Sequence, residues 1–392
     1  MINWSLQKLS MNLTKADAGT TINCTSTPTD CTPNFGKENV AYGGPESVLL
    51  SVDNYVSSMV SPPDLAGSFG AFSGGIATAT DLSWDEVGII TMTPSIRDGD
   101  YLGAGDVTGK TTGAVGRFYP DHFDTVIDQI SGVPMACPDG LCPSTFNGIV
   151  YSGQTFNLSV TAMNASGNAT VNYDTTAGFS KTAVLTPYGA LGTTSAPSGA
   201  GALAVASMSA FVSGARTEAA EKYTFTTTPT APTNIYINAS DGEANSRRTA
   251  NPTTTSIEGG VRVVSGRISI PNMYGSERLQ LPLTATVQYY NGTNWVTSLT
   301  DSVTSFSSAL SPGGNLVASN ATCAVVKTPD IAPVAVSAGA RTLVFSRVAV
   351  TPPAPKCITT FSINAPSYLP SSTGSATFGV FKSPLIYRRE NY

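Results

Sequence analysis

Charge is what this chain lacks most. Only 12% of its 392 residues are Asp, Glu, Lys or Arg, about half the share of an ordinary soluble domain. Exposed helix faces are usually filled with Glu, Lys, Arg and Gln, so the shortage argues against a helical protein. Basic residues cluster no further than the pairs Arg247-Arg248 and Arg388-Arg389, and the net charge is −5. Nucleic-acid binding needs a basic stripe to neutralise phosphates, and the sequence has none. Histidine occurs once, at His122. That leaves too few imidazoles for the common zinc sites and a single base for a Ser-His-Asp mechanism. No run approaches the ~18 apolar residues of a membrane-spanning helix. Residues Met1-Ile2-Asn3-Trp4-Ser5 lack the basic and apolar regions of an export signal. The expectation is either an intracellular chain or a piece of a larger exported precursor.

What is present points to strands. Apolar residues make up 41% of the chain, with 15 Phe and 15 Tyr, too many for a disordered polymer. The segment 155–162 alternates, with Phe156, Leu158, Val160 and Ala162 on one face and Asn157, Ser159 and Thr161 on the other. That is the period of a half-buried strand. Strands are likewise expected at 48–52, 223–227, 235–237, 343–345, 348–350 and 376–380. Strands at 261–264 and 267–270 flank Ser265-Gly266, read as a hairpin turn. The clearest hairpin starts at Leu281, runs to Tyr290, turns at Asn291-Gly292 and reaches Trp295, with Thr293-Asn294 lengthening the loop. Pro282 removes a backbone donor and fits an edge or a strand start. Two short helical pieces are expected, at 121–130 and at 217–222, the latter capped by Thr217. Many short strands between turns describe an all-β chain of tandem β-sandwich, immunoglobulin-like domains. The division expected is 1–118, 119–259 and a C-terminal domain at 260–392.

The six cysteines fall into neighbouring pairs, Cys24 with Cys31, Cys137 with Cys142, and Cys323 with Cys357. An even count in local pairs suits disulfides in an oxidising compartment. The rival, a metal site, would want tighter cysteine clusters or more histidine.

Other candidate chemistry is sparse. His122 sits in Tyr119-Pro120-Asp121-His122-Phe123 without a G-x-S-x-G elbow to serve. Ser5-Leu6-Gln7-Lys8 matches S-x-x-K without companion motifs. The acidic loops Asp98-Gly99-Asp100 with Asp106, and Asp241-Gly242-Glu243, carry oxygens that calcium would accept, but Asp and Gly equally make turns. Asp81 to Asp85 only begins like a metal-dependent adhesion motif. Glycosylation sequons occur at nine asparagines, among them Asn157, Asn164, Asn238 and Asn291, a number that a Ser/Thr/Asn-rich chain also produces by chance. Tyr289, Tyr290 and Trp295 are the ligand-binding candidates, able to stack on a sugar or a partner, with core packing as the competing reading.

Several blocks, in order, resemble a known family. They are Gly116 to Phe123, Val150 to Leu158, Asn172-Tyr173, Ile268 through Glu277 to Leu283, Ala376 to Phe381, and Tyr387 to Glu390. Together they are similar to the C-terminal region of the bacterial MSHA pilus biogenesis proteins of the MshQ type. Similar sequences carry a cysteine after the hairpin where this chain reads Asp301-Ser302-Val303, with Cys323 and Cys357 as the replacement pair. The resemblance implies a secreted protein associated with type IV pili and brings no catalytic residues. The expectation is a non-enzymatic structural or adhesive subunit at the cell surface or outside it, exported through an upstream signal. It would need no cofactor and would meet pilus or cell-surface proteins, or host or environmental glycans. A carbohydrate-binding module array is the alternative.

Overall fold

The computed structural model describes residues 48–53 and 63–379, apart from 64, 68, 70–78, 80–81, 97–107, 139, 144–145, 147, 247–257, 277–278, 320–324, 328–331 and 348–355. Among the described residues there is no helix. The first unit shows a three-stranded antiparallel sheet of β1 (Val48–Asp53), β2 (Gly88–Ile96) and β3 (Val115–Phe118).

The middle unit holds β4 (His122–Asp128), β5 (Ile149–Tyr151), β6 (Phe156–Met163), β7 (Ala183–Tyr188), β8 (Gly201–Leu203), β9 (Ser207–Met208), β10 (Ala215–Glu221), β11 (Tyr223–Phe225), β12 (Thr233–Ser240) and β13 (Gly260–Val264). One sheet runs β10-β6-β4, the other β5-β13-β12-β7-β9, and β11 pairs with β8.

The C-terminal unit holds β14 (Gly266–Ser269), β15 (Met273–Gly275), β16 (Leu281–Tyr290), β17 (Trp295–Thr297), β18 (Ser305–Phe306), β19 (Leu316–Ser319), β20 (Val325–Lys327), β21 (Val334–Ala335), β22 (Ala340–Arg347), β23 (Lys356–Ile363) and β24 (Gly374–Gly379). Its sheets run β14-β16-β22-β20, with β17 paired to β16, and β15-β24-β23-β19.

Both units repeat one plan. The first strand pairs antiparallel with the next long one, β4 with β6 and β14 with β16. The chain then changes sheets and its second strand runs parallel to the last, β5 with β13 and β15 with β24. In strand letters the C-terminal sheets read A-B-E-D and A′-G-F-C, the two-sheet arrangement of an immunoglobulin-like sandwich. The chain is therefore all-β and built of tandem β-sandwiches.

The alternating segments form as their pattern dictates. Along β6 every second residue is buried, and β16 does the same from Leu281 to Tyr289. These inward faces fill two cores. One gathers Phe123, Leu158, Tyr173, Phe211 and Ile235; the other gathers Ile268, Leu283, Phe345, Phe361 and Phe378. Phe345 and Phe361 stack at 4.7 Å, bridging the two C-terminal sheets. Burying one such ring stabilises the fold by roughly 2–3 kcal/mol. Pro282 is the second residue of its strand, where the missing donor costs little.

Three local expectations are corrected. Residues 121–130 are not helical: β4 pairs with β6 from His122 to Asp128, burying Phe123 and Ile127. Nor are residues 217–222: Thr217 to Glu221 lie in β10 along the same sheet. Its largely exposed face hides the period, so the helix-forming residues Glu218, Ala219 and Ala220 mislead. Ser265-Gly266 is not a hairpin turn either. β13 pairs with β5 and β12, whereas β14 pairs with β16, so the chain passes from one sandwich to the next.

A register shift in β10 between Glu218 and Glu221 turns the Glu221 carboxylate inward. Its Oε1 accepts from the backbone N–H groups of Ala204, Val205 and Lys222. Burial pushes this carboxyl above its usual range, and the three donors pull it partway back. The native chain thus holds this proton more tightly than the unfolded chain. The favourable contribution is complete below the ordinary carboxylate range and is lost as pH rises through the raised value. Glu221→Gln keeps an oxygen for the three donors and cannot ionise. Its thermal midpoint relative to the parent should become steadily more favourable as pH rises above the ordinary carboxylate range and through the raised value. A pH-independent offset would refute this assignment.

Candidate functional site at the domain junctions

The aromatic candidates lie on the hairpin of β16 and β17, and the pleat divides them. Tyr289 points inward and joins the C-terminal core. Tyr290 and Trp295 are paired across the hairpin on the outer face, ring centroids 5.5 Å apart. The Arg267 guanidinium lies 4.3 Å over the Trp295 ring, and its Nε donates to Gln288 Oε1 at 2.9 Å. The result is a half-buried patch of two rings, one cation and one amide. In the turn, Asn291 Oδ1 accepts from the N–H of Thr293 and of Asn294, while Gly292 adopts a φ of 104° that favours glycine. A Cβ at Gly292 would stand 3.7 Å from Pro232, so the hairpin tip abuts the middle sandwich.

The same junction is tied underneath. Ser265 lies between the two sandwiches. Its Oγ accepts from Thr230 N and donates to Thr230 O, and its carbonyl accepts from Tyr290 N. β5 faces both ways: Val150 enters the middle core, while Ile149 and Tyr151 enter the C-terminal core. The Tyr151 hydroxyl donates to Asp301 Oδ2 at 3.0 Å, and its ring stacks on Tyr368. Asp301 is fully buried. It also accepts from Thr304 Oγ1 at 2.7 Å and from the N–H groups of Val303 and Thr304. Burial, then the neighbouring Asp301 charge, pushes the Tyr151 phenol far above its usual range, so it remains a donor.

The upstream junction is built in the same manner. Trp84 joins Ile90 and Met92 in the first unit's core, whereas Val87 enters the middle core. Between them the buried Glu86 carboxylate accepts from the N–H groups of Val87, Val171 and Asn172. Arg117 on β3 makes a two-pronged pair with Glu243 at 2.9 and 2.7 Å, and Lys181 reaches the same carboxylate at 2.7 Å. These partly exposed pairs are worth about 0–1 kcal/mol each.

The remaining candidates fall into place as structure. Asp241 Oδ1 caps the turn by accepting from Glu243 N and Ala244 N, and its Oδ2 accepts from the Tyr173 hydroxyl at 2.7 Å. His122 is 3% exposed, its ring between Asp121 Oδ2 at 2.8 Å and Asp124 Oδ1 at 3.4 Å. Among the described residues no group of three or more His, Cys, Asp or Glu side chains could hold a metal ion. Asn164 is nearly buried, its Oδ1 accepting from Ser166 N and Asn168 N, and Asn238 is buried in β12. Ser5, Lys8, Asp81, Asp98, Asp100 and Asp106 lie outside the described residues.

Cys137 and Cys142 form a disulfide with their Cα atoms 5.9 Å apart. Cys357 is also disulfide-bonded. Cys24, Cys31 and Cys323 lie outside the described residues. The 137–142 bridge sits in the insertion between β4 and β5, and both of its cysteines pack against the C-terminal core. Sequence reasoning found the bridge but not its target. Nothing in the spacing of the two cysteines reports which core they cover.

Solved structures with similar strand arrangements have low scores. The D0-D1 domain of intimin is 11% identical, covered over 94% of its length by 59% of this chain, at a TM-score of 0.17. The extracellular domains 1–5 of protocadherin gamma B2 are 9% identical, with 86% of this chain covering 53% of that one, at 0.21. An endo-fucoidan hydrolase of glycoside hydrolase family 107 is 10% identical, with 86% of this chain covering 42% of that one, at 0.19. This chain thus spans about half the length of the latter two, and none of the three bears on function. No curated protein is a detectable relative in sequence. Family models do match: residues 86–265 match DUF6701, third domain, and residues 264–391 match DUF6701, fourth domain. These two adjoining matches span most of the chain, which carries the third and fourth domains of the DUF6701 family.

Proposed function

We propose that this chain is part of an exported, non-enzymatic structural or adhesive subunit, held at the bacterial surface in association with type IV pili of the MSHA kind. The observation that carries the reading is the burial of both junctions. Val87 and Ile90 divide between two cores at one, Val150 and Tyr151 at the other. Domains in one chain move relative to one another unless their interface is large and apolar. Sandwiches joined through shared strands hold their loops at fixed spacing, which suits presentation to a partner. The Cys137–Cys142 bridge fits an oxidising compartment, and the resemblance to MshQ-type sequences supplies the pilus association. The partners would be pilus or cell-surface proteins.

Immunogold labelling of intact cells, together with pull-down of pilins by the tagged chain, tests the proposal. Label on pili or on the outer surface and recovered pilins are the expected result. Diffuse periplasmic label without pilins would overturn it.

A second reading, a carbohydrate-binding module, is favoured by the outer-face patch of Arg267, Gln288, Tyr290 and Trp295. Rings beside hydrogen-bonding side chains suit a sugar face. Glycan-array binding by the parent that Trp295→Ala abolishes would favour this reading over the first. No binding by a folded parent would remove it.

A further inference from the structure

We infer that the stretch carrying Met135, Cys137, Leu141, Cys142 and β5 acts as a clasp that completes the C-terminal sandwich in cis, so that the folding unit of that sandwich begins well before the matched domain boundary at residues 264–265. This holds whether or not the chain serves a pilus.

The segment belongs by sequence to the middle unit. It is the insertion through which the chain changes sheets between β4 and β5. The corresponding step in the C-terminal unit, from β14 to β15, takes only residues 270–272. The long version spends its extra residues on the neighbouring domain. Met135, Ile149 and Tyr151 are at most 1% exposed and belong to the C-terminal core. Cys137, Leu141 and Cys142 pack against its edge. Met135 is fixed by a two-way backbone bridge to Ile149, at 2.9 and 2.8 Å, so the insertion folds back on β5 as a flap. The disulfide closes the tip of this flap.

The receiving surface is shaped for it. A Cβ at Gly266 would collide with the Tyr151 ring and with Leu369, so only glycine there lets the ring approach β14. Gly153, just beyond β5, runs against Tyr368, and Gly132 lies against Val303. Tyr151 adds the hydroxyl bond to the buried Asp301. Without the segment, the C-terminal core would lose the buried side chains of Met135, Ile149 and Tyr151, and one bond to a buried carboxylate would be lost. A core cavity and an unmet polar group are two of the largest costs known for small changes.

Amide hydrogen exchange of the full chain, read peptide by peptide, tests this. Met135→Ala is expected to lower protection in β23 and β24 by on the order of 100-fold, although neither strand touches residue 135 in sequence. Tyr151→Phe, which removes one oxygen and leaves the packing intact, is expected to lower it about tenfold. Val160→Ala, in the middle core alone, should reduce protection in β4 and β6 and leave β23 and β24 near the parent. Should Met135→Ala fail to fold, Tyr151→Phe gives the same readout by itself. The inference is overturned if both clasp variants affect only residues 119–265. It also fails if Val160→Ala weakens β23 and β24 as much as Met135→Ala does.

Discussion

Asp301→Ala is expected to lower the stability of the chain by about 3–5 kcal/mol, well beyond the cost of an ordinary point substitution. The carboxylate has no exposure and accepts from the Tyr151 hydroxyl, the Thr304 hydroxyl and the N–H groups of Val303 and Thr304. Removing it takes the acceptor from four donors, three of them in fully buried bonds. Each stranded group costs about 1–3 kcal/mol, and relaxation of the loop keeps the total below their sum. Asp301→Asn preserves the shape but turns one acceptor into a donor, so a loss of about 1–3 kcal/mol is expected. Urea titrations followed by tyrosine and tryptophan fluorescence measure both. A loss under about 1 kcal/mol for the alanine variant would show that the network contributes little to the fold.

Tyr173→Ala comes next, at about 3–5 kcal/mol. Tyr173 is fully buried between Phe123 and Phe211, with ring centroids at 5.5 and 5.0 Å. Its hydroxyl leaves the core at the one place where it finds partners, donating to Asp241 Oδ2 at 2.7 Å and accepting from Lys181 N at 3.1 Å. Burial, then the hydrogen bond to Asp241, holds this phenol protonated well beyond its usual range. Tyr173→Phe keeps the ring and loses the bonds, and about 1–2 kcal/mol is expected. Comparing the two thermal midpoints separates packing from hydrogen bonding. Equal losses would mean that the ring contributes nothing beyond its hydroxyl.

The sequence made legible the all-β tandem-sandwich class and the strands with one wet face, but not which strands pair. β6 and β16 alternate cleanly because each lies in the middle of a sheet over a core. β10 escaped because its long exposed run leaves only Glu221 fully buried, and a register shift breaks the remaining period. The segment Ile149-Val150-Tyr151 is apolar throughout, so its pattern says only that it is buried. That its middle residue serves one core and its neighbours another is a fact of sheet partners, which local periodicity does not carry. The hairpin reading at Ser265-Gly266 failed for the same reason: two short strands on either side of a glycine look alike whether they pair with each other or leave for different sheets. The aromatic hairpin was found from residue type alone. Its division into a core tyrosine and an outer Tyr290–Trp295 pair followed once the pleat was known.

The parallel pairing of β5 with β13 and of β15 with β24 has a mechanical consequence. In each sandwich the second strand starts at one end of such a pair and the last strand finishes at the opposite end. Tension along the chain would pull the two strands lengthwise past each other. The evenly spaced hydrogen bonds of a parallel pair then share the load and yield together, whereas a hairpin pulled from its open end unzips one bond at a time. Resistance to pulling is governed by the height of the barrier to unfolding and not by equilibrium stability. Two such shear-loaded pairs in series, the first leading through Ser265 and β14 to the second, would make the chain a tether whose strength exceeds what its modest size suggests.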